Sequence, residues 1–314
     1  MSCLFFTDCR RDRAKIEQLR LNLSQDIEEY PDSSYFSDIR CIEFYDNYLY
    51  FLDPGRKDVA KIDLEFATVE YIGRGGRGPG ELLFPATVSI FEDTISILDA
   101  SLGILRYKDK AFLELLKVDN LTDYRFFSSK EGYFLPTSSV DGTFQIVSLN
   151  ESEEISYHGN PEKYESAVRT RVLNGRNLHS HPSGIVTVPD GLPFVEIYDW
   201  KTKECINRID LSNIEPYEIN LKEIKKHNYD ERTYPVLVRD SYMFNNDLFI
   251  LCLDHTHQGE ANLIIKLNFE KEPFVESIIT LPDRNYMSIC VNQNSLIAFN
   301  RIKTIIEKYE RIGF

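Results

Sequence analysis

The chain of 314 residues has no apolar run near the roughly 18–20 residues that a membrane-spanning helix needs. It is also short of positive charge: 36 basic residues stand against 50 acidic ones, which gives a net charge of −14. This balance argues against nucleic acid or an anionic membrane as the main partner. Tryptophan occurs once, whereas the 20 phenylalanines and 18 tyrosines favour β-strands. The composition predicts a soluble, acidic, β-rich protein.

The cysteines are few and scattered, without a CxxC pair or the Cys/His spacing of a zinc site. Neither a redox motif nor structural zinc is therefore indicated. The six are Cys3, Cys9, Cys41, Cys205, Cys252 and Cys290. The last four lie in apolar strand-like runs, which predicts buried free thiols.

The N-terminus contains a short apolar patch, Leu4-Phe5-Phe6, that ends at Cys9. It resembles the end of a bacterial lipoprotein signal whose first half is missing. However, Asp8 stands where such a signal has a small neutral residue, and no basic n-region precedes the patch. We treat residues 1–12 as a separate segment, a candidate signal remnant, and expect a single folded domain at residues 13–314.

One strand pattern recurs six times along the chain. Each copy has an apolar strand, a tight polar turn, a second apolar strand that ends in a turn residue, a loop and a third strand. The six second strands end at Asp53, Asp99, Pro136, Asp190, Asp254 and Asn300. These positions lie 37 to 64 residues apart, around the 40–50 residues or so of a four-stranded propeller blade. The pattern predicts an all-β, six-bladed β-propeller with four-stranded antiparallel blades; two β-sandwiches are the alternative.

The last copy lacks a fourth strand. Residues 14–23 (AKIEQLRLNL) alternate in polarity, and we expect this N-terminal segment to complete the last blade and close the ring. Two longer connections, near residues 160–171 and 211–237, have helical character and are predicted as insertions on the rim.

A glycine-rich segment, GRGGRGPGELLFP at residues 73–85, precedes a strand that leads to Asp99. It resembles the interblade motif of NHL-type repeats, and above all the GxGPGEF motif of bacterial TolB-like six-bladed propeller proteins. The motif covers one blade. The resemblance implies the fold, a binding role and a periplasmic or lipid-anchored location in a bacterial envelope. Related propellers include peptide-binding domains and a few metal-dependent lyases and lactonases.

The same segment contains a G-x-G-x-x-G at Gly73, Gly75 and Gly78. A dinucleotide site needs this turn to open a helix. Pro79 and Gly80 follow at once, so no helix can begin there. The glycines are better explained as residues with positive φ in a tight loop.

Seven arginines are candidate ligand-binding residues, because five stand at or just before the first strand of a unit and two lie in the glycine-rich segment. They are Arg40, Arg74, Arg77, Arg125, Arg176, Arg239 and Arg284. Innermost strands line the channel of a propeller, so these side chains would form a positive mouth for an anionic ligand or an acidic peptide. The structural alternative is that each arginine pairs with the Asp or Glu that ends a neighbouring strand, such as Asp53, Asp99, Asp190 or Asp254, and so joins the blades.

Two His-x-His motifs, His179-Ser180-His181 and His255-Thr256-His257, are candidate metal ligands. In a strand this spacing puts both imidazoles on one face. A metal site needs three or four converging ligands, and the sequence pattern alone assigns no carboxylate ligand to either pair. Incidental polar residues are therefore the alternative.

The leading functional hypothesis is a non-enzymatic binding or scaffolding propeller, since no GxSxG elbow or other catalytic motif is found. It would recognise a protein segment, a peptide or an anionic small ligand at the channel mouth, as a monomer and without a cofactor. The alternative is a metal-dependent hydrolase or lyase with a divalent ion in the channel. A structural partner in a larger envelope complex cannot be separated from the first hypothesis by sequence.

Overall fold

The computed structural model describes residues 16–137, 139–149, 155–226, 236–257 and 260–310. The predicted N-terminal segment 1–12 and the last part of the 211–237 insertion lie outside these residues. Among the described residues, no helix is long and apolar enough to cross a membrane.

The described chain is built almost entirely of short β-strands, with two α-helices. In chain order the elements are β1 (Glu17–Arg20), β2 (Asn22–Ile27), β3 (Cys41–Tyr45), β4 (Tyr48–Asp53), β5 (Asp58–Asp63), β6 (Val69–Ile72), β7 (Pro85–Phe91), β8 (Thr94–Asp99), β9 (Gly103–Lys108), β10 (Ala111–Leu116), β11 (Phe127–Ser129), β12 (Gly132–Pro136), β13 (Phe144–Ser148), β14 (Ile155–His158), α1 (Ala167–Leu173), β15 (Arg176–His181), β16 (Gly184–Pro189), β17 (Phe194–Tyr198), β18 (Cys205–Asp210), α2 (Glu215–Lys226), β19 (Val238–Phe244), β20 (Asp247–Asp254), β21 (Glu260–Asn268), β22 (Phe274–Thr280), β23 (Tyr286–Val291), β24 (Ser295–Asn300) and β25 (Ile305–Glu310).

The strands form six sheets, and the fold is a six-bladed β-propeller with four-stranded antiparallel blades, as predicted. Four blades consist of consecutive strands: β3–β6, β7–β10, β11–β14 and β15–β18. The fifth contains β19–β22 and the sixth β23–β25, and each of these two also takes in an N-terminal strand.

The N-terminus supplies a strand to the last blade, as expected, but of the predicted donor only residues 22 and 23 belong to that strand. Strand β2 pairs antiparallel with β25, with Leu23 opposite Tyr309. The preceding strand β1 instead pairs in parallel with β22, as a fifth strand of that sheet. The expected donor, residues 14–23, thus divides between two sheets. Without these partners, β22 and β25 would each present unpaired backbone N–H and C=O groups at a sheet edge. Strand β1 pairs with the edge of β22, and β2 pairs with the edge of β25.

The chain divides into two compact units, each with a core of its own. The first comprises the described parts of Met1–Leu21, Pro136–Gln145 and Ser156–Asn285, and the second comprises Asn22–Leu135, Ile146–Ile155 and the described part of Tyr286–Phe314. The first unit has a core formed mainly by the second and third strands of its blades, β16, β17, β20 and β21, and this core includes Tyr217 of α2. The second unit has a core that includes Leu52, Val88 and Ile97.

The tight turns between first and second strands use the residue types that such hairpins require. Asp46 and Asn47 have φ of 48° and 62°, and Glu92 and Asp93 have φ of 45° and 63°. Two successive left-handed residues give a turn whose twist matches that of the flanking strands. These turns fix the strand register, and with it the side chains that project beyond the other end of each blade.

Candidate binding surface

Two buried aspartates organise the loops at one end of the second unit's blades. Asp53, the last residue of β4, accepts hydrogen bonds from the backbone N–H groups of Ser37 (2.8 Å), Asp38 (3.2 Å), Gly55 (3.1 Å) and Arg56 (3.2 Å). The carboxylate therefore ties the segment before β3 to the β4–β5 loop. Since β3 and β4 are antiparallel, both loops lie at the same end of the blade.

Asp99 does the same in the next blade. It accepts from the backbone N–H groups of Leu83 (2.7 Å), Phe84 (2.8 Å), Ser101 (3.0 Å) and Leu102 (3.2 Å). The recurrent strand-end aspartate of the sequence repeat is thus explained at these two positions, because one carboxylate accepts hydrogen bonds from four backbone N–H groups.

The glycine-rich segment binds a carboxylate of its own. The side chain of Glu81 accepts from the N–H of Gly78 at 2.6 Å and receives Arg74 Nε and Nη2 at 2.9 and 2.8 Å. The N–H of Gly78, with a contribution from Arg74, holds the pKa of Glu81 below its ordinary value. An added Cβ at Gly76 would lie 2.0 Å from Glu81 Oε2, so the segment needs glycine there to let the carboxylate approach.

Side chains from four neighbouring loops of the second unit form what we call the loop surface. Its members are Tyr35, Arg40, Lys57, Arg74, Arg77, Phe84, Arg301 and Ile302. Contacts link the loops in series. Asp38 lies 2.9 Å from Arg40 Nε and 3.7 Å from Arg301 Nε, and Lys57 Nζ lies 5.8 Å from the centre of the Phe84 ring.

The loop surface combines exposed cations with exposed apolar groups. Tyr35, Phe84 and Ile302 are 76%, 64% and 69% exposed, and the Arg74 side chain is 81% exposed. Asp38 is shared by two arginines, so positive charge is in excess around it. Such a surface can hold a carboxylate and bury apolar groups beside it.

The predicted arginines fall into an exposed and a buried class. Arg40, Arg74 and Arg77 are exposed on the loop surface. Arg239 and Arg284 are exposed in the first unit, where Arg284 pairs with Glu260 at 2.9 Å. The structure thus groups three of the seven arginines on one surface of the second unit.

Arg125 is buried in the second unit and connects two innermost strands. Its guanidinium donates to Glu43 Oε1 (2.5 Å) and the carbonyl of Ile42 (3.2 Å) in β3. It also donates to Ser288 Oγ (3.2 Å) and the carbonyl of Ile289 (3.0 Å) in β23. This arginine joins blades, as in the structural alternative.

Arg176 is buried in the first unit beside a second arginine. It donates to Glu196 Oε2 at 2.6 Å, while Arg208 reaches Glu196 Oε1 at 2.6 and 3.0 Å. Burial would raise the pKa of Glu196, but the two guanidinium groups and their hydrogen bonds outweigh it and hold that pKa below its ordinary value. The acidic partners of Arg125 and Arg176 are thus glutamates within strands and not the predicted strand-end aspartates.

The histidines are engaged in local hydrogen bonds. His179 Nε2 lies 2.8 Å from Ser241 Oγ, and both ring nitrogens of His181 meet side chains, those of Ser183 (2.7 Å) and Asn246 (3.2 Å). His255 begins a short 3₁₀ turn, and its Nε2 lies 2.6 Å from the carbonyl of Val236. Within the described residues, which exclude the His257 side chain, no three histidine, cysteine or acidic groups converge as metal ligands.

Five members of the loop surface escaped the sequence analysis: Tyr35, Lys57, Phe84, Arg301 and Ile302. Tyr35, Phe84 and Ile302 are apolar residues close to strands or buried residues, so composition alone assigns them to the core. A usable signal is their position in loops that surround the strand-end Asp53, Asp99 and Asn300.

The comparisons with known proteins agree with the fold. A structure of a candidate exported protein from Bacteroides fragilis NCTC 9343 is 14% identical, with a TM-score of 0.66, and the match covers 95% of this chain and 99% of that one. A luciferin-regenerating enzyme is 13% identical (TM-score 0.57; 92% and 96% covered). A streptogramin B lyase is 11% identical (TM-score 0.53; 94% and 87% covered). At these identities the likeness shows the fold alone.

No curated protein matches the chain in sequence. The narrower resemblance to TolB-like and NHL propellers stays a prediction. A family model described as a 6-bladed beta-propeller matches residues 29–245, more than half of the chain. The chain therefore belongs to this family of six-bladed β-propellers, DUF5128.

Proposed function

We propose that the protein is a binding module that docks an acidic protein segment with apolar side chains on the loop surface. The supporting observation is that exposed arginines and exposed Tyr35, Phe84 and Ile302 occupy neighbouring loops at one end of the second unit's blades.

The charge pattern selects the partner. In a chain of net charge −14, an exposed cluster of arginines favours an acidic partner locally while the rest of the surface repels it. Arginine and aromatic residues are also the types that supply most binding energy in protein interfaces.

The apolar groups argue for a peptide over a small inorganic anion. Two hydrogen bonds fix the backbone of Phe84. Its N–H donates to the Asp99 carboxylate, and its carbonyl accepts from the N–H of Ala100 at 2.9 Å. Because the backbone is already held, its ordering adds little to the entropy cost of binding. An anion alone would leave the Phe84 ring in water.

Fluorescence anisotropy with three labelled peptides tests the proposal. One peptide alternates glutamate and phenylalanine, a second replaces phenylalanine with serine, and a third replaces glutamate with lysine. We expect the first to bind best, the second more weakly and the third not at all, with affinity that falls as salt increases.

Variants locate the site. Combined R40A and R301A, and separately F84A, should each weaken binding of the first peptide by about tenfold, as loss of an interface anchor does. R171A removes an exposed arginine of α1 in the other unit and serves as the matched control. Equal binding of the lysine peptide, or equal weakening by R171A, would refute a site on the loop surface.

A further inference from the structure

The glycine-rich segment is held in shape without the help of the Glu81 side chain. The N–H of Leu82 donates to the carbonyl of Arg74 (2.8 Å), and the N–H of Gly76 to the carbonyl of Leu82 (3.2 Å). Leu82 is fully buried, and the Tyr107 hydroxyl donates to the carbonyl of Gly80 at 2.7 Å. The segment is therefore a preformed cradle, and the Glu81 carboxylate is the group that occupies it.

The cradle matches both oxygens of a carboxylate. One oxygen faces the side chain of Arg74 and the other the N–H of Gly78, with the N–H of Arg77 also directed at the group. Consecutive backbone N–H groups in such a loop form an anion-binding concavity, and Nε and Nη2 of Arg74 add a charged partner at the other oxygen.

We infer that this cradle is the carboxylate-binding subsite of the loop surface, and that Glu81 fills it as an internal ligand which a glutamate, aspartate or C-terminal carboxylate of the partner replaces. The inference rests on the proposed function for the identity of the partner. Arg74 remains largely exposed while it holds Glu81, so an incoming carboxylate can reach the guanidinium before Glu81 leaves. Phe84, three residues beyond Glu81, adjoins the cradle as an apolar anchor.

Removal of the internal ligand is the direct test. E81A empties the cradle and leaves its backbone bonds intact, so sodium acetate should raise the melting temperature of E81A. The rise should grow with the logarithm of the acetate concentration once that concentration exceeds the dissociation constant. Wild-type protein in acetate, and E81A in sodium chloride of equal ionic strength, should show no such shift.

A second variant separates a carboxylate site from a general effect of the substitution. At Gly76 an added Cβ takes the place of the carboxylate oxygen, and φ at this residue lies outside the left-handed region, so alanine is allowed. Combined G76A and E81A should fold and lose the acetate response. If this double variant responds like E81A, or if E81A does not respond to acetate, the cradle is not a carboxylate site.

The glutamate–phenylalanine peptide connects the cradle to docking. E81A should bind it about tenfold more tightly than wild type does, because the competing carboxylate is gone. E81Q keeps the size of the side chain but not its charge, and should lie between the two. If wild type binds the peptide and E81A binds it equally well or more weakly, displacement of Glu81 is overturned, whereas the proposed function still stands. Absence of peptide binding in both, with a normal acetate response, would overturn the proposed function and keep the cradle.

Discussion

The backbone N–H of Phe84 donates to the buried carboxylate of Asp99 at 2.8 Å, while the phenylalanine ring lies largely in solvent. A structural residue of the blade thus positions an exposed group of the loop surface. Asp53 holds the neighbouring loops in the same way through Ser37 and Gly55. The strand-end aspartates therefore connect the propeller repeat to its proposed binding role.

Loss of the Asp99 carboxylate should destabilise the fold. D99A leaves the backbone N–H groups of Leu83, Phe84 and Ser101 without their acceptor and is expected to lower the free energy of unfolding by about 2–4 kcal/mol. D99N retains one side-chain carbonyl oxygen as an acceptor, so its free energy of unfolding should fall by less. Urea unfolding measures both. E65A removes an exposed carboxylate elsewhere in the same unit and is the control; a loss in E65A equal to that in D99A would contradict the assignment.

Substitution of a buried arginine should lower stability, whereas substitution of an exposed arginine should lower peptide binding. R125A removes the hydrogen bonds that the guanidinium donates to β3 and β23 and leaves Glu43 without this partner, so we expect a loss of about 3–5 kcal/mol in unfolding free energy. R77A removes an exposed side chain of the loop surface and should leave stability within about 0.5 kcal/mol. The glutamate–phenylalanine peptide should bind R77A more weakly than wild type. A stable R125A would contradict its role in joining blades.

The sequence predicts the propeller because its signals are local. Turn residues such as Asp46-Asn47 and strand-end aspartates act within a few positions of where they stand. Arg40 and Arg125 look alike in sequence, since each precedes a first strand. In the fold Arg40 is exposed and Arg125 is buried. The difference arises because Arg125 finds its partners far away along the chain: Glu43 is 82 residues away and Ser288 is 163 residues away. The split of the N-terminal donor between β1 and β2 likewise depends on two sheet edges formed much later in the sequence.

Metal addition tests the hydrolase or lyase alternative. We expect zinc, manganese or a chelator to leave the melting temperature of the purified protein unchanged, because His179 and His181 are hydrogen-bonded to Ser241, Ser183 and Asn246. Elemental analysis accompanies the melts. Stoichiometric metal that is lost on substitution of His179 and His255 would reverse this expectation and direct substrate tests to lactones and esters.

The pH dependence of stability should report the buried cluster of Arg176, Glu196 and Arg208. The pKa of Glu196 is lower in the folded protein than in the unfolded chain, where it is near the ordinary value of about 4.3. The unfolded state therefore binds this proton more readily, so the contribution of Glu196 is fully present above that value and is lost as pH falls through the folded pKa. The stability of Glu196's cluster should therefore fall in acid.

E196Q leaves Arg176 buried without its carboxylate and should lower the free energy of unfolding by about 3–5 kcal/mol at pH 7. The difference in unfolding free energy between wild type and E196Q should then become smaller in acid. E204Q, an exposed glutamate of the same unit, is the control for unfolding measured across pH. A difference between wild type and E196Q that stays constant down to pH 3 would show that Glu196 does not titrate as the cluster requires.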